Sequence, residues 1–217
     1  MNVYLKKPEH PAEACVIWLH GLGADASDMV GLAEQLMLND VSVRHVFLDA
    51  PIRPVTLNAG MAMRAWYDVI GLSSMDREDE EGILQSVAII EEQISLQIEQ
   101  GFPSHKIFLA GFSQGGAMAL YTALQKKEPL AGIIALSAYL PLANQCKAKA
   151  PTPTPFFLTG GQYDPLILPA WTETTAGWLR DKGYENLTFR TYSMEHAVCL
   201  EEIQDLSVWL ATTVRGE

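Results

Sequence analysis

Lys106-Ile-Phe-Leu-Ala-Gly-Phe-Ser113-Gln-Gly-Gly-Ala-Met-Ala-Leu-Tyr121 is the stretch that decides the fold. It opens as an apolar, strand-like run, passes through Gly111-Phe112-Ser113-Gln114-Gly115, and closes on helix-forming residues. A G-x-S-x-G pattern between a strand and a helix is a nucleophile elbow, which holds its serine on a sharp turn at the top of a sheet. Gly111 and Gly115 carry no Cβ, so strand and helix can approach closely. The serine then stands at a helix N-terminus, where free backbone N–H groups meet developing negative charge. A glycine-rich turn without chemistry is the plainer reading, and the flanking strand and helix weigh against it.

Working outward, strands and helices alternate. Cys15-Val-Ile-Trp-Leu19 is a continuous apolar run, as expected of a strand buried on both faces. It ends at His20-Gly21-Leu22-Gly23-Ala24-Asp25, followed by a helix from about 28 to 38 and a strand over 43–49. Residues 51 to 82 read as a long irregular section ending in the acidic run Asp76-Arg-Glu-Asp-Glu-Glu81, which is expected to be a solvated face. A helix over 80–99 carries the stripe Ile83, Val87, Ile90, Ile94 and Ile98. After the elbow come a strand over 130–136, an exposed connector over 144–155, and a strand over 155–159 leading to Gly160-Gly161-Gln-Tyr-Asp164. A helix over 169–182, a strand over 187–192 leading to Met194-Glu195-His196, and a helix over 197–212 complete the chain. Such alternation implies an α/β fold, a mostly parallel central sheet with helices on both faces. Ligand chemistry in such sheets collects in loops beyond the strands' C-terminal ends.

The bulk numbers narrow the function. At 217 residues with 48% apolar composition, a single α/β domain spanning residues 1–217 is expected. With 15 basic against 26 acidic residues the net charge is −11, which excludes a nucleic-acid partner held by a basic face. The N-terminal stretch lacks the apolar core of a secretory signal, and no run nears the roughly 18 apolar residues of a spanning helix, so no stable membrane insertion is expected. Cys15, Cys146 and Cys199 are odd in number and widely spaced, fitting a reduced, cytoplasmic protein, with Cys15 and Cys199 expected in buried packing. No ligand cluster has metal spacing and no G-x-G-x-x-G or P-loop occurs, so neither metal nor cofactor is expected.

A serine hydroxyl needs an imidazole to take its proton, and that imidazole needs a carboxylate to fix its tautomer. On this architecture the chain order is serine, acid, histidine. Of the five histidines only His196 follows the elbow, at a strand-to-helix turn. Among the acids between Ser113 and His196, Glu173 and Asp181 fall in a helix, Glu128 and Glu185 in other turns, and Glu195 is a diverging neighbour. Asp164, beyond the 155–159 strand, is the candidate. The tetrahedral intermediate needs two donors: the N–H of Gln114, next after the nucleophile, and a second assigned to the N–H of Leu22 in the glycine-rich loop. His20 is expected to brace that loop.

The residues His20-Gly-Leu-Gly-Ala-Asp25, Val55-Thr-Leu-Asn58 through Gly60-Met61, Trp66-Tyr-Asp68 and Gly111-Phe-Ser-Gln-Gly-Gly116 resemble the carboxylesterase/acyl-protein thioesterase family of α/β-hydrolases, also described as phospholipase/carboxylesterases. The resemblance runs from about residue 3 to 212. It implies the α/β-hydrolase fold without a large cap, Ser113, Asp164 and His196 as catalytic residues, and Leu22 and Gln114 as oxyanion donors. It also implies that the 51–82 section lines an acyl channel, with Leu72 and Trp66 as substrate contacts. Two departures stand out: Pro-Leu-Ile after Asp164, and Glu195 before His196. The expected function is a serine carboxylesterase acting on short-to-medium acyl esters. The alternatives are an acyl-protein thioesterase or lysophospholipase, and, from another class, a non-catalytic binding protein. The partner is then a small acyl ester or an acylated protein, and the chain a monomer or weak homodimer.

Overall fold

A computed structural model describes residues 2–71, 77–148 and 153–216. Seven strands form one sheet in the order β1-β3-β2-β6-β7-β8-β9: β1 (Val3–Lys6), β2 (Ala14–Leu19), β3 (Val43–Leu48), β6 (Ile107–Phe112), β7 (Gly132–Leu136), β8 (Phe156–Gly161) and β9 (Leu187–Tyr192). All neighbours run parallel except β1, which pairs antiparallel with β3 at the edge. Among the described residues five α-helices, α1 (Ala26–Gln35), α2 (Glu80–Glu99), α3 (Gln114–Gln125), α4 (Pro169–Asp181) and α5 (Leu200–Arg215), connect or follow the strands.

Period-two alternation along the strands divides the core. Cys15, Ile17 and Leu19 of β2 join a cluster with α2, α3 and α4, while Val16 and Trp18 join one with α1 and α5. Both faces of the sheet are therefore covered, which is why β2, β6 and β7 read as unbroken apolar runs and β8 is buried throughout. The α2 stripe is buried at Ile83, Val87, Ile90 and Ile94, but Ile98 is exposed near the helix end. Asp25 caps α1 by accepting the Ser27 N–H, and Asp79 caps α2 by accepting the Gly82 N–H.

The section over 51–82 is less irregular than expected. It contains a hairpin of β4 (Ile52–Val55) and β5 (Met61–Arg64). Its acidic end is also more than a wet face. Besides capping α2, Asp79 accepts the Asp68 N–H, and Glu78 Oε2 accepts the Leu142 N–H at 2.7 Å. Asp76 and Leu72 lie outside the described residues. Cys15 is buried as expected, whereas Cys199 is only half-buried at the start of α5.

Candidate active site

Ser113 joins β6 to α3 with φ +54° and ψ −120°, a conformation that side chains rarely adopt. Its N–H donates to Leu136 O of β7 at 2.8 Å, and its carbonyl accepts the Ala117 N–H of α3 at 2.9 Å. The turn closes only because its glycines lack side chains. A Cβ on Gly111 would collide with the Gly115 backbone, and one on Gly115 with the carbonyls of Leu19 and His20.

Two later turns come to this serine. His196 Nε2 lies 2.9 Å from Ser113 Oγ, and its Nδ1 lies 2.7 Å from Asp164 Oδ2. An ionised carboxylate can only accept, so Nδ1 carries the ring proton and Nε2 accepts from the serine hydroxyl. Asp164 is buried, and its Oδ1 accepts the N–H groups of Leu166 and Ile167 at 2.9 Å each. The Pro-Leu-Ile departure after Asp164 thus supplies the amides that hold its carboxylate. The imidazole is bonded by Asp164 and packs against Phe112 with centroids 4.8 Å apart, while Glu195 beside it is exposed. Ser137 of the next strand end donates to Ala197 O at 3.4 Å, beside the histidine.

The glycine-rich loop reaches the same place from β2. A Cβ on Gly21 would stand 3.5 Å from Ser113 Cβ, so the loop lies against the serine. A turn closed by the Ala24 N–H on Gly21 O places Leu22 at its tip, and Gly23 at φ +75° completes it. His20 braces this loop from beneath. Its buried ring donates from Nδ1 to Gly21 O at 2.7 Å and accepts the Ala50 N–H at Nε2 at 2.9 Å. Burial lowers its pKa, which keeps the ring neutral and both bonds intact. Arg64 adds a second brace: its carbonyl accepts the Gly23 N–H, and its guanidinium meets buried Asp49 at 3.0 Å.

Trp66 is fully buried under the loop instead of lining open space. Its indole N–H donates to His20 O at 2.9 Å. Its main-chain N–H is taken by Gln114 Oε1 at 2.8 Å, while Gln114 Nε2 donates to Tyr67 O at 2.8 Å. This clamp by the Gln114 side chain was not anticipated: the motif marks only the Gln114 N–H. Beyond the clamp opens a cavity of about 540 Å³ lined by Tyr67, Val69, Ile70, Tyr139, Leu140 and Trp171 among others. Its lining includes neither Ser113 nor His196, and Gln114 links its wall to the elbow. The hydroxyls of Tyr67 and Tyr139 and the Glu78 carboxyl form a polar chain on this wall, where burial pushes Tyr139 up to about 12 and raises Glu78. No group of three or more possible metal ligands occurs among the described residues. Leu72, the other expected contact, lies outside them.

The phospholipase/carboxylesterase family matches residues 2–214. Acyl-protein thioesterase 1 of Neurospora crassa is 38% identical, with 91% of this chain and 85% of that protein covered. Its Cryptococcus neoformans counterpart is 33% identical, with 96% and 95% covered. Among solved structures, Zea mays acyl-protein thioesterase 2 superposes with a TM-score of 0.85 at 29% identity, covering 98% of this chain and 99% of that one. The Bacillus cereus carboxylesterase shares the fold with a TM-score of 0.82 at 19% identity, covering 98% and 94%. By sequence over nearly its whole length and by fold, the chain belongs to the phospholipase/carboxylesterase family of α/β-hydrolases and is a serine hydrolase.

Proposed function

We propose that the protein is an acyl-protein thioesterase, with Ser113 as nucleophile, His196 as base and Asp164 as the acid that orients it. The observation that carries the serine-hydrolase chemistry is the hydrogen-bonded line from Ser113 Oγ through His196 to Asp164 Oδ2, at 2.9 and 2.7 Å. His196 Nε2 takes the hydroxyl proton as Ser113 Oγ bonds to the acyl carbon. The carbonyl oxygen becomes an oxyanion facing the N–H groups of Gln114 and Leu22, each worth about 3 kcal/mol to the transition state. The C–S bond then breaks and the imidazolium returns its proton to the departing cysteine thiolate. Water repeats the sequence on the acyl-enzyme, releasing the fatty acid and restoring Ser113.

The curated relatives, at 33–38% identity, carry the name acyl-protein thioesterase, and this favours the thioester over the short-chain ester first expected. Oxygen esters pass through the same tetrahedral intermediate and remain secondary substrates. The cavity beside Tyr67 and Tyr139 falls within the usual range of ligand pockets, roughly 300–1,000 Å³, and takes the acyl chain. Trp66 supports the donor loop from behind. No described helix is long and apolar enough to cross a membrane, and the three free cysteines suit a reducing cytoplasm.

Turnover of an S-palmitoylated peptide, measured beside nitrophenyl esters of increasing chain length, tests the reading. A kcat/KM for the thioester at least equal to that for the best oxygen ester is expected. Ester turnover with an inert thioester would return the protein to the carboxylesterases.

A further inference from the structure

Glu202 is a fully buried carboxyl that the mechanism above does not use. It is the third residue of α5, and it connects the two segments that deliver His196 and Asp164. Glu202 Oε1 accepts from the Thr159 hydroxyl of β8. The Cys199 main-chain N–H, at the start of α5, faces the same carboxyl and favours its charged form. This is the reach-back half of a capping box, made by an N3 glutamate toward the residue before the helix. Thr159 stands five residues before Asp164, and Cys199 three after His196. One side chain therefore spans the strand that carries the acid and the turn that carries the base. Its other oxygen, Oε2, is buried with no well-formed hydrogen bond among the described residues. Burial raises the carboxyl to about 7, with the charge of Asp205 adding to the effect.

A residue kept buried and half-satisfied is a cost to the fold, and hydrophobic residues of similar volume are usually as stable or more so. Its placement is better explained by geometry than by stability. We infer that Glu202 is a positioning residue for the proton-transfer line: by tying Thr159 to the start of α5 it fixes the His196 turn against the Asp164 turn.

The inference rests on the proposed roles of Ser113, Asp164 and His196, and Ser113→Ala separates the two. If that variant turns over nitrophenyl butyrate at the wild-type rate, the reading of the site falls, whatever Glu202 does. With Ser113→Ala inactive, Glu202→Ala is expected to lower kcat by roughly ten- to a hundredfold with KM within about twofold, as misplacement of a catalytic group does. Glu202→Gln keeps an oxygen to accept from the Thr159 hydroxyl, and should restore kcat to within about threefold of wild type. Thr159→Val removes the strand-side donor alone, and decides the matter should Glu202→Ala fail to fold; it should lower kcat about fivefold or more at unchanged KM. Wild-type kcat in a folded Glu202→Ala or in Thr159→Val would overturn the inference, as would a Gln variant as impaired as Ala.

Discussion

The main-chain N–H of Tyr163 donates to the Met194 carbonyl at 3.0 Å, so the turns bearing Asp164 and His196 form one hydrogen-bonded unit. The Gln162 N–H, on Tyr192 O at 2.8 Å, continues the pairing of β8 with β9 to the edge of the site. Gly161 makes this approach possible, because a Cβ there would overlap the carbonyls of Met194 and Glu195. Gly161→Ala should therefore destabilise the protein by about 1–3 kcal/mol through overpacking. It should also lower kcat roughly tenfold by prying the two turns apart. Urea unfolding and ester turnover on the same sample check both; unchanged kcat would mean that the turns do not move together.

Trp66→Phe tests the support beneath the glycine-rich loop. The change deletes the indole donor and leaves the buried His20 carbonyl without that bond. A stability loss of about 1–3 kcal/mol is expected for an unpaired buried acceptor. Because His20 also holds Gly21 and Ala50, kcat should fall while acyl-chain preference stays the same. A changed chain-length profile would instead make Trp66 a substrate contact.

The strands that build the site were legible because burial on both sides removes polar alternation: Cys15–Leu19 and Leu130–Leu136 are apolar without a break. The edge strand β1 leaves no such trace, since all four of its residues are exposed. The hairpin over 52–64 was hidden for a related reason. Ile52 and Met61 are apolar yet exposed, Pro54 sits mid-strand, and the two strands are only four residues long. The order Ser113, Asp164, His196 follows from strand succession and could be read directly. The clamp of Gln114 on Trp66 and Tyr67, and the tie between Thr159 and Glu202, join residues more than forty positions apart. Such pairs have no local pattern, so only the folded chain displays them.

Two buried groups should give stability opposite slopes against pH. His45 accepts the Trp18 indole N–H at Nδ1, and burial, with Lys6 adding, lowers it to about 4. Between pH 6.5 and 4 the unfolded chain binds a proton that folded His45 refuses, so stability falls as the pH drops, and His20 acts in the same sense. Glu202 is raised to about 7. From pH 4.5 to 7 its folded form holds a proton that the unfolded form releases, so stability falls as the pH rises. Asp205, itself paired with Arg190 and Tyr192, faces Glu202 from the same helix and reinforces this. The His45 and Glu202 contributions are each on the order of 3 kcal/mol. Urea midpoints from pH 4.5 to 7.5 should thus vary less in the wild type than in a variant that lacks either side of this opposition. His45→Asn, which keeps an acceptor for Trp18, should make stability decline toward high pH; Glu202→Gln should make it decline toward low pH. Parallel profiles for all three proteins would refute the assignment.

Ser113 itself offers the clearest separation of stability from activity. At φ +54° its backbone is costly for a side chain and easy for glycine. Ser113→Gly removes the strain but loosens the unfolded chain, and the two effects should net to a gain of about 1 kcal/mol. In a protein of this size that corresponds to roughly 2–4 °C in Tm. Ser113→Ala keeps the Cβ and hence the strain, so its Tm should stay close to wild type. Both variants lack the hydroxyl and should lose activity by about a thousandfold or more. Calorimetry of the three proteins side by side therefore reads the strain that the elbow stores, independently of the chemistry. A glycine variant melting below the alanine variant would show that the turn is relaxed, and that the serine is presented to His196 without cost to the fold.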